Sequence, residues 1–516
     1  MANITKAVKT NFFIKSLVVE IIVPVDKNIL LTVNKRLKKM PGARYYFLRY
    51  LQARKLTYTG PDPVQLSVMA AERKEKLAGW GNYPVSESIA LFPRIEDDLK
   101  KELKKTPLIA RGLGRSYGDQ AINDDRYVAV CTKLNHFLYF DQLEGILECE
   151  AGVSLEEIIT VFGPKGWLPM ICPGTKFVTI GGAIANDIHG KAHHIDGSFV
   201  NCVLSFTILL ADGSTVEASR TENRDLYWAN FGGLGLLGVI LKARLRLRKI
   251  ETTYFKQKSM VIKNLDHMLE SLDKYDHDYN YSVAWIDALA KGSKLGSGVL
   301  TLGNAAKLNE LPARLKADPL KLHSTGKLGV PFFFPSFTLN SFTVRVLNRV
   351  IAFVQNSPKE FVHYEKFFFP LDAINNWNRG YGRRGFIQYQ FVIPAENGKR
   401  NLTEILEMIA GSGCTPFLNV FKRMGDGQGI LSFPFAGYTL AIDFPVTKQL
   451  LTFTPKLDER VLAAGGRLYL GKDALLTEGM FKAMYPQHTE WLAIKRKYDP
   501  NNVFNSNISR RLGLNA

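Results

Sequence analysis

The stretch PGTKFVTIGGAIANDIHGKAHH, at residues 173–194, combines small residues, two adjacent glycines and three histidines. Gly181 and Gly182 carry no side chain, so a ligand can approach the backbone closely there. Taken alone, a glycine pair in a strand more often marks a bulge or a packing contact. The histidines are a weak metal signal, because no HExxH pattern accompanies them. The stretch raises the hypothesis of a flat ligand lying against the backbone, and no metal site is predicted.

A second glycine-rich stretch, ARGLGRSYGD, lies about 60 residues upstream at residues 110–119. Its three glycines expose backbone N–H groups, and Arg111 and Arg115 add positive charge, which suits a pyrophosphate. It does not open a helix after a strand as GxGxxG does, so the fingerprint of NAD-binding Rossmann domains is not met. A glycine loop by itself is more often an ordinary turn.

The composition is that of a globular protein with a basic surface. The 516 residues are enough for two or three domains, and 46% of them are hydrophobic. A formal net charge of +19 favours anionic partners such as nucleic acid, an anionic membrane or phosphorylated substrates, although a solvated basic surface explains it equally well. Five cysteines without CxxC spacing predict free thiols in a reducing compartment. No apolar run reaches the roughly 18 residues of a membrane span.

Strand and helix patterns are mixed along the chain. YVAVCTKL and GILECEAGV are typical of strands, SLEEIITVFGPKG of a short helix, and VNCVLSFTILLADGSTVEAS of a hairpin with a turn at Asp212-Gly213. Further strands are predicted at YSVAWIDAL, GFIQYQFVIP and GYTLAIDFPV, the last with alternating polar and apolar residues. VPFFFPSF predicts an irregular loop or lid, and the last 50 residues are predicted to be helical. Without a clean βαβ alternation, the pattern indicates an α+β fold.

The order of the motifs is more specific than any one of them. ARGLGRSYGD, PGTKFVTIGGAIANDIHGKAHHIDGSF, LLADG and WANFGGLGLLGVI follow one another. This order resembles the FAD-binding domain of flavoenzymes of the vanillyl-alcohol-oxidase type, and more closely the decaprenylphosphoryl-β-D-ribose 2'-oxidase family. The likeness continues through FIQYQFVIP, GYTLAIDFPV, GGRLYLGKD and YDPNNVFNSNISRRL, and covers about residues 78–513.

The resemblance implies a domain plan. Residues 1–77 would be a basic N-terminal extension, 78–252 the FAD-binding domain, 253–465 an antiparallel-sheet substrate domain, and 466–516 a C-terminal return to the FAD-binding domain. The first 78 residues have no counterpart in the family.

The resemblance also implies the cofactor site. Many relatives bond FAD covalently through a histidine at the place of Tyr117, and a tyrosine cannot form that link, so we expect non-covalent FAD. The residues implied in cofactor binding are Arg111, Gly112, Leu113, Gly114, Arg115, Ser116, Tyr117, Gly118, Pro173, Gly174, Thr179, Ile180, Gly181, Gly182, Ala185, Asn186, His189, Gly190 and Tyr469.

The activity implied is oxidation of the ribose 2'-hydroxyl of a polyprenyl-phosphate sugar to the 2'-keto form, with hydride passing to flavin N5. Lys472, in LGKD, matches the family's essential lysine, and a cation there would favour a developing alkoxide or an anionic reduced flavin. His189, in DIHGK, is a candidate base or a group beside the flavin, and the alternative is a structural histidine.

A further set of residues is implied on the substrate side. Two lysines would orient the sugar or pair with its phosphate. Two glutamines share one face of a strand and would hydrogen-bond sugar hydroxyls, and a tryptophan together with Tyr469 would form an apolar wall of the substrate site. Members of the family that nitroaromatic inhibitors capture covalently carry a cysteine where this chain has Ala441, and Thr439 replaces an asparagine. The residues are Lys191, Trp285, Gln388, Gln390, Lys422, Thr439 and Ala441.

The expected partners follow from the same resemblance. They are a polyprenyl-phosphate sugar, a short-chain reductase and, through the basic residues 1–77, an anionic membrane, but no nucleic acid. The setting would be arabinose biosynthesis for the cell envelope, with a cytoplasmic or peripheral membrane location because no export signal is readable. Two alternatives stay open: an FAD-dependent oxidase of a soluble polyol or aldonolactone, and a non-catalytic basic protein that binds membrane or nucleic acid on a flavin fold.

Overall fold

Three large β-sheets with helices packed on them make up the part of the chain that the computed structural model describes. That part is residues 73–105, 107–323, 328–355 and 360–515. The sequence also predicts a strand at SLVVEIIVPV (residues 16–25) and a basic, amphipathic helix at residues 34–55, and both stretches lie outside the described residues. One compact unit spans Ala70–Ala516.

Two of the sheets are built from the first half of this unit. The first sheet has the order β1-β2-β4-β3, with β4 parallel to both of its neighbours. In the second sheet the order is β5-β6-β10-β8-β9, all antiparallel, with β7 also paired to β10. The strands are β1 (Arg73–Ala78), β2 (Val85–Leu91), β3 (Leu108–Arg111), β4 (Tyr127–Val130), β5 (Phe137–Asp141), β6 (Ile146–Glu150), β7 (Trp167–Pro169), β8 (Val203–Leu209), β9 (Thr215–Ser219) and β10 (Val239–Lys249).

The third sheet has eight strands in the order β15-β11-β13-β12-β18-β19-β17-β20, and every pairing in it is antiparallel. Strands β14 and β16 form a small parallel pair beside it. The bounds are β11 (Tyr254–Ile262), β12 (Tyr281–Ile286), β13 (Gly298–Ala305), β14 (Leu328–Gly329), β15 (Phe361–His363), β16 (Ile374–Asn375), β17 (Phe386–Pro394), β18 (Asn419–Met424), β19 (Gly437–Pro445) and β20 (Arg467–Leu468).

The helices are short and lie between the strands or follow them. They are α1 (Glu96–Glu102), α2 (Leu155–Phe162), α3 (Ile180–Ala185), α4 (His193–Asp196), α5 (Arg224–Asn230), α6 (Leu265–Tyr275), α7 (Ala313–Lys316), α8 (Ser341–Gln355), α9 (Tyr364–Phe368), α10 (Gly398–Gly411), α11 (Lys448–Ala463), α12 (Glu478–Met484), α13 (His488–Tyr498) and α14 (Asn507–Arg511). None of the helices in the described ranges is long and apolar enough to cross a membrane.

Local chemistry accounts for several elements that the sequence predicts. Ser154 and Glu157 close a capping box at the start of α2, with Ser154 N–H donating to the Glu157 carboxylate at 2.7 Å. The predicted hairpin is β8 and β9, in which Leu209 pairs with Thr215. Its turn is stabilised by Ser214 N–H donating to Asp212 Oδ1 at 2.8 Å.

The predicted α+β class with an antiparallel sheet is confirmed. All nine residues of β19 are buried, and the strand lies between β18 and β17 inside the sheet. Strand β1 begins at Arg73, inside the stretch predicted as an extension. Strand β20 joins the third sheet, while α13 packs on α5, in the region predicted as the FAD-binding domain.

Candidate functional site

The loop that follows β3 presents free backbone donors. In the described part of the chain, no N–H group of residues 112–116 donates a hydrogen bond. Gly114 has φ +66°, a conformation that glycine adopts without strain. Arg111 holds the loop from behind, because its guanidinium donates to the carbonyls of Ala121 at 2.9 Å and Ala78 at 2.7 Å. Successive free N–H groups in a bend of this kind suit a phosphate.

The second glycine stretch packs against the first. Gly181 and Gly182 lie in α3, and Thr179 caps this helix by accepting from Gly182 N–H at 3.3 Å. A Cβ at Gly112 would clash with the Thr179 side chain, so the two predicted motifs meet at this contact. Gly181 also needs its small size, since an added Cβ would lie 3.2 Å from the Ala151 Cβ.

A cavity of about 310 Å³ lies between these loops and the third sheet. Residues 234–240 and parts of β17, β18, β19 and the segment after β20 complete its wall. The predicted site residues that border it are Arg111, Gly112, Leu113, Gly114, Arg115, Ser116, Tyr117, Pro173, Gly174, Thr179, Gly181, Gly182, Ala185, Asn186, His189, Gln388, Gln390, Lys422, Ala441, Tyr469 and Lys472.

Six predicted residues do not border the cavity, and their roles stay predictions. Lys191 Nζ donates to the carbonyl of Phe367 and lies 4.7 Å from that ring. The side chain of Thr439 is fully buried and accepts a hydrogen bond from Gln390, which borders the cavity. The six are Gly118, Ile180, Gly190, Lys191, Trp285 and Thr439.

Two lysines bring positive charge to the cavity. Lys472 Nζ lies 5.5 Å from the centroid of the Tyr117 ring and 6.0 Å from that of Tyr469. Burial lowers the pKa of Lys472 to about 8, and the charge of Asp443 opposes this effect. Burial, together with the charges of Lys472 and Lys191, lowers the pKa of Lys422 to about 7. At neutral pH, Lys472 is therefore mostly charged, whereas Lys422 can bind or release a proton.

A chain of hydrogen bonds fixes the tautomer of His189. Thr439 Oγ1 donates to the carbonyl of Phe391 at 2.7 Å, so it accepts from Gln390 Nε2 at 3.0 Å. The same amide nitrogen faces His189 Nε2 at 3.0 Å, which makes Nε2 an acceptor and places the proton on Nδ1. Burial and then the charge of Lys422 hold the pKa of His189 well below its usual value, so the ring is neutral.

A buried aspartate beside the cavity, Asp443, was not predicted from the sequence. Asp443 is fully buried in β19 and accepts from Gln388 Nε2 at 2.6 Å and from Tyr381 Oη at 2.8 Å. Burial raises the pKa of Asp443 to about 6, and the charge of Lys472 works against the rise. The one available signal was a single aspartate within the otherwise apolar stretch LAIDFP.

Gln120 is a second missed residue, and it positions Lys472. Its side-chain amide donates to the carbonyls of Leu470 at 2.5 Å and Asp473 at 2.8 Å, on both sides of the lysine. Its Oε1 accepts from Gly118 N–H at 3.1 Å, which links the turn around Lys472 to the first glycine loop.

The cavity fits FAD. Five buried side-chain atoms on its wall have no partner among the described residues: Arg115 Nε, Asn186 Oδ1, His189 Nδ1, Gln388 Oε1 and Gln390 Oε1. Unpaired polar atoms of this kind are costly unless a ligand pairs with them. Free N–H groups at one side suit a pyrophosphate, and the amide and imidazole atoms suit a polar ring system. Among the described residues, no group of three His, Cys, Asp or Glu side chains is placed to hold a metal ion.

Comparison with known proteins agrees with this geometry. A family model described as an FAD binding domain matches residues 89–219, and one described as D-arabinono-1,4-lactone oxidase matches residues 382–512. The chain is similar to L-gulonolactone oxidase of Mus musculus, with 24% identity over 78% of this chain and 89% of that protein.

Two bacterial relatives are more similar. An uncharacterised protein of Streptomyces coelicolor is 31% identical over 70% of this chain and all of that protein. Decaprenylphosphoryl-β-D-ribose oxidase of Mycolicibacterium smegmatis is 40% identical over 85% of this chain and 98% of that protein. The chain is therefore an FAD-dependent oxidoreductase that belongs to the decaprenylphosphoryl-β-D-ribose oxidase family.

Proposed function

We propose that this protein oxidises the 2'-hydroxyl of a ribose carried on a polyprenyl phosphate to the 2'-keto form. The observation that supports it is the similarity to the Mycolicibacterium smegmatis oxidase, which extends over 98% of that protein at 40% identity. The predicted residues at the cavity have the chemistry that such a substrate needs. A cationic lysine can stabilise the alkoxide that develops as the alcohol loses its proton, and amides can hydrogen-bond neighbouring sugar hydroxyls.

The free N–H groups of residues 112–116 would hold the pyrophosphate of FAD, and the bound flavin would supply the hydride acceptor for the carbon that carries the hydroxyl. Lys472 would stabilise the negative charge that develops on the substrate oxygen, because it is mostly charged and lies at the cavity wall beside Tyr117 and Tyr469. Lys422, with a pKa of about 7, would take the hydroxyl proton at neutral pH. Asp443 would orient the Gln388 amide.

His189 would act as a positioning residue. Its Nε2 atom is engaged by Gln390, so the ring offers a proton on Nδ1 rather than a lone pair. A donor at this place would orient a bound polar group. The hypothesis that His189 is the base requires the Gln390 amide to move away first.

The test is anaerobic bleaching of the flavin. We expect farnesylphosphoryl ribose to bleach the 450-nm band of the FAD-loaded protein on the order of 10²-fold faster than an aldonolactone, since a lactone has no phosphate and leaves the groups that would bind it unpaired. A faster response to the lactone would favour the alternative of a soluble-substrate oxidase, which the match to D-arabinono-1,4-lactone oxidase supports. No response to either would overturn the proposal.

The partners belong to the same proposal. A 2'-keto product has to be reduced again to yield an epimeric sugar, so we infer a short-chain reductase as the next enzyme. A polyprenyl-phosphate substrate resides in a membrane, so we infer a peripheral contact with an anionic bilayer.

A further inference from the structure

Helix α8 (Ser341–Gln355) has apolar side chains on two opposite sides. One side faces the protein, where Val344 is fully buried and Asn348 Nδ2 donates to Asp287 Oδ1 at 2.8 Å. The opposite side is a stripe at a spacing of four residues, formed by Phe342, Val346 and Val350, and Phe342 is 72% exposed. Because the buried side already anchors the helix, packing within the described chain does not account for the exposed stripe.

The loop before α8 adds exposed aromatic residues. Phe337 is 78% exposed, and Phe332 and Phe333 are exposed as well. Backbone contacts fix this loop, because Arg379 Nη1 donates to the carbonyls of Val330 and Pro331 at 3.2 and 3.1 Å. We call the exposed stripe and these aromatics together the apolar face; its members are Phe332, Phe333, Phe337, Phe342, Val346 and Val350.

The segment of the chain that carries the apolar face has positive charges and no negative ones. Residues 319–359 contain no Asp or Glu. Arg345 and Arg349 are exposed beside the stripe, and Arg383 is exposed next to Arg384, which donates to the carbonyl of Ser336 at 3.1 Å. Within the described ranges, Arg345, Arg349 and Arg383 form no ion pair. A protein partner is usually met with mixed charges, whereas an apolar face with a cationic rim is typical of membrane-surface binding.

Hydrogen bonds connect the loop of the apolar face to a turn that borders the cavity. Arg379, which holds the aromatic loop, belongs to the 3₁₀ turn Trp377–Tyr381, and Trp377 borders the cavity. Phe334 N–H donates to the Arg379 carbonyl at 3.0 Å, so loop and turn are fixed to each other. A surface held at the apolar face would therefore lie near one wall of the site.

We propose that the apolar face docks on an anionic phospholipid bilayer. The phenylalanine side chains enter the boundary between headgroups and acyl chains, and the arginines meet lipid phosphates. This rests on the proposed function, which is what brings a lipid-linked sugar to the site. The contact would hold one wall of the cavity at the membrane surface, where such a sugar is presented.

An introduced cysteine tests the contact directly. All five native cysteines are buried, so an environment-sensitive fluorophore will label Phe342→Cys selectively in the full chain. We expect its emission to shift to the blue with vesicles of phosphatidylcholine and phosphatidylglycerol at 7:3, and much less with phosphatidylcholine alone. The matched control is Leu143→Cys, at a site that is 88% exposed on the turn between β5 and β6 of the second sheet, and its emission should not shift. Equal shifts at both sites, or none at Phe342, would overturn the proposal.

Co-sedimentation with the same vesicles separates charge from apolar contact. Arg345→Gln/Arg349→Gln should weaken binding roughly fivefold for each cation removed, and the loss should shrink at high salt. Phe337→Ser/Phe342→Ser should weaken binding at every salt concentration. The control Lys448→Gln/Lys456→Gln, on exposed lysines of α11, should bind like the unmodified protein.

Other outcomes separate this proposal from its alternatives. Bleaching of the flavin by a short-chain soluble substrate should be unchanged in these variants. If the unmodified protein binds vesicles through the apolar face but no prenylated sugar bleaches its flavin, the proposed function fails and the docking surface stands. If the phenylalanine variants change self-association in sedimentation velocity and leave vesicle binding unchanged, the face is a contact between copies of the chain and the membrane proposal is wrong.

Discussion

At the scale of single residues, Lys472 lies half-buried beside the rings of Tyr117 and Tyr469. We predict that Lys472→Ala still binds FAD but that substrate reduces this FAD roughly 10²-fold more slowly. One preorganised charge stabilises such a transition state by about 3 kcal/mol. The measurement is stopped-flow flavin reduction without oxygen. Lys448→Ala, on the surface of α11, is the matched control. A near-normal rate in Lys472→Ala would assign this lysine to structure.

The two lysines also predict a narrow pH optimum. Lys422 becomes a competent base as the pH rises through about 7, and Lys472 loses its charge above about 8. The rate of flavin reduction at low substrate should therefore rise through about pH 7 and fall again above about pH 8. Lys422→His should move the rising limb to lower pH, because the pKa of imidazole is lower. A rising limb at the same pH in this variant would exclude Lys422 as the base.

Tyr117 stands where many relatives have the histidine that bonds covalently to FAD, so the flavin should be bound non-covalently here. Acid precipitation should release the flavin into the supernatant, and flavin that stays in the washed pellet would contradict the assignment of Tyr117.

Ala441 borders the cavity but carries no sulfur atom. Nitroaromatic inhibitors should therefore leave no mass adduct on this protein. Ala441→Cys should gain an adduct that maps to β19.

At the scale of the elements, Lys495 of α13 anchors the C-terminal segment. Its ammonium group is fully buried and donates to the carbonyls of Leu236 at 2.6 Å and Phe504 at 2.7 Å, and it pairs with Asp499. Lys495→Met leaves the Asp499 carboxylate buried without its cation, which we expect to cost about 3–5 kcal/mol of unfolding free energy.

Thermal unfolding of the FAD-free protein would measure this loss. The control is Lys497→Met on the same helix, since the Lys497–Asp225 pair is exposed and contributes little. Equal melting temperatures for the two variants would show that the buried pair is not what holds the segment.

These elements also show how far the sequence predicts the structure. The β8–β9 hairpin and α2 were predictable, because their turn and cap chemistry lies within a few residues. The contacts of Gln120 were not, since it bonds to carbonyls 350 and 353 residues away. Asp443 was missed for the same reason: a lone acid in an apolar strand gives no hint of Tyr381 as its partner. Most of the predicted site residues nevertheless border the cavity, because the family resemblance carries long-range information that local patterns lack.

At the scale of the whole molecule, the net charge of +19 has to be explained. The predicted extension carries a cluster of cations interleaved with Tyr45, Tyr46, Phe47 and Tyr50, and each cation near an anionic bilayer contributes about 1 kcal/mol. The cluster is Lys35, Arg36, Lys38, Lys39, Arg44, Arg49, Arg54 and Lys55. We predict that deleting Met1–Met69 preserves FAD binding, because β1 and the first sheet begin at Arg73.

The same deletion should weaken vesicle binding, and the salt dependence identifies which surface was lost. Binding through the extension is mainly electrostatic and should fall steeply between low and high salt, because the Debye length shortens from about 10 Å at 0.1 M to about 3 Å at 1 M. Binding through the apolar face buries phenylalanine side chains and should persist at high salt. The shortened protein should therefore retain a weaker, less salt-sensitive affinity in co-sedimentation. Equal binding and equal salt dependence with and without Met1–Met69 would leave the basic stretch as an ordinary solvated surface.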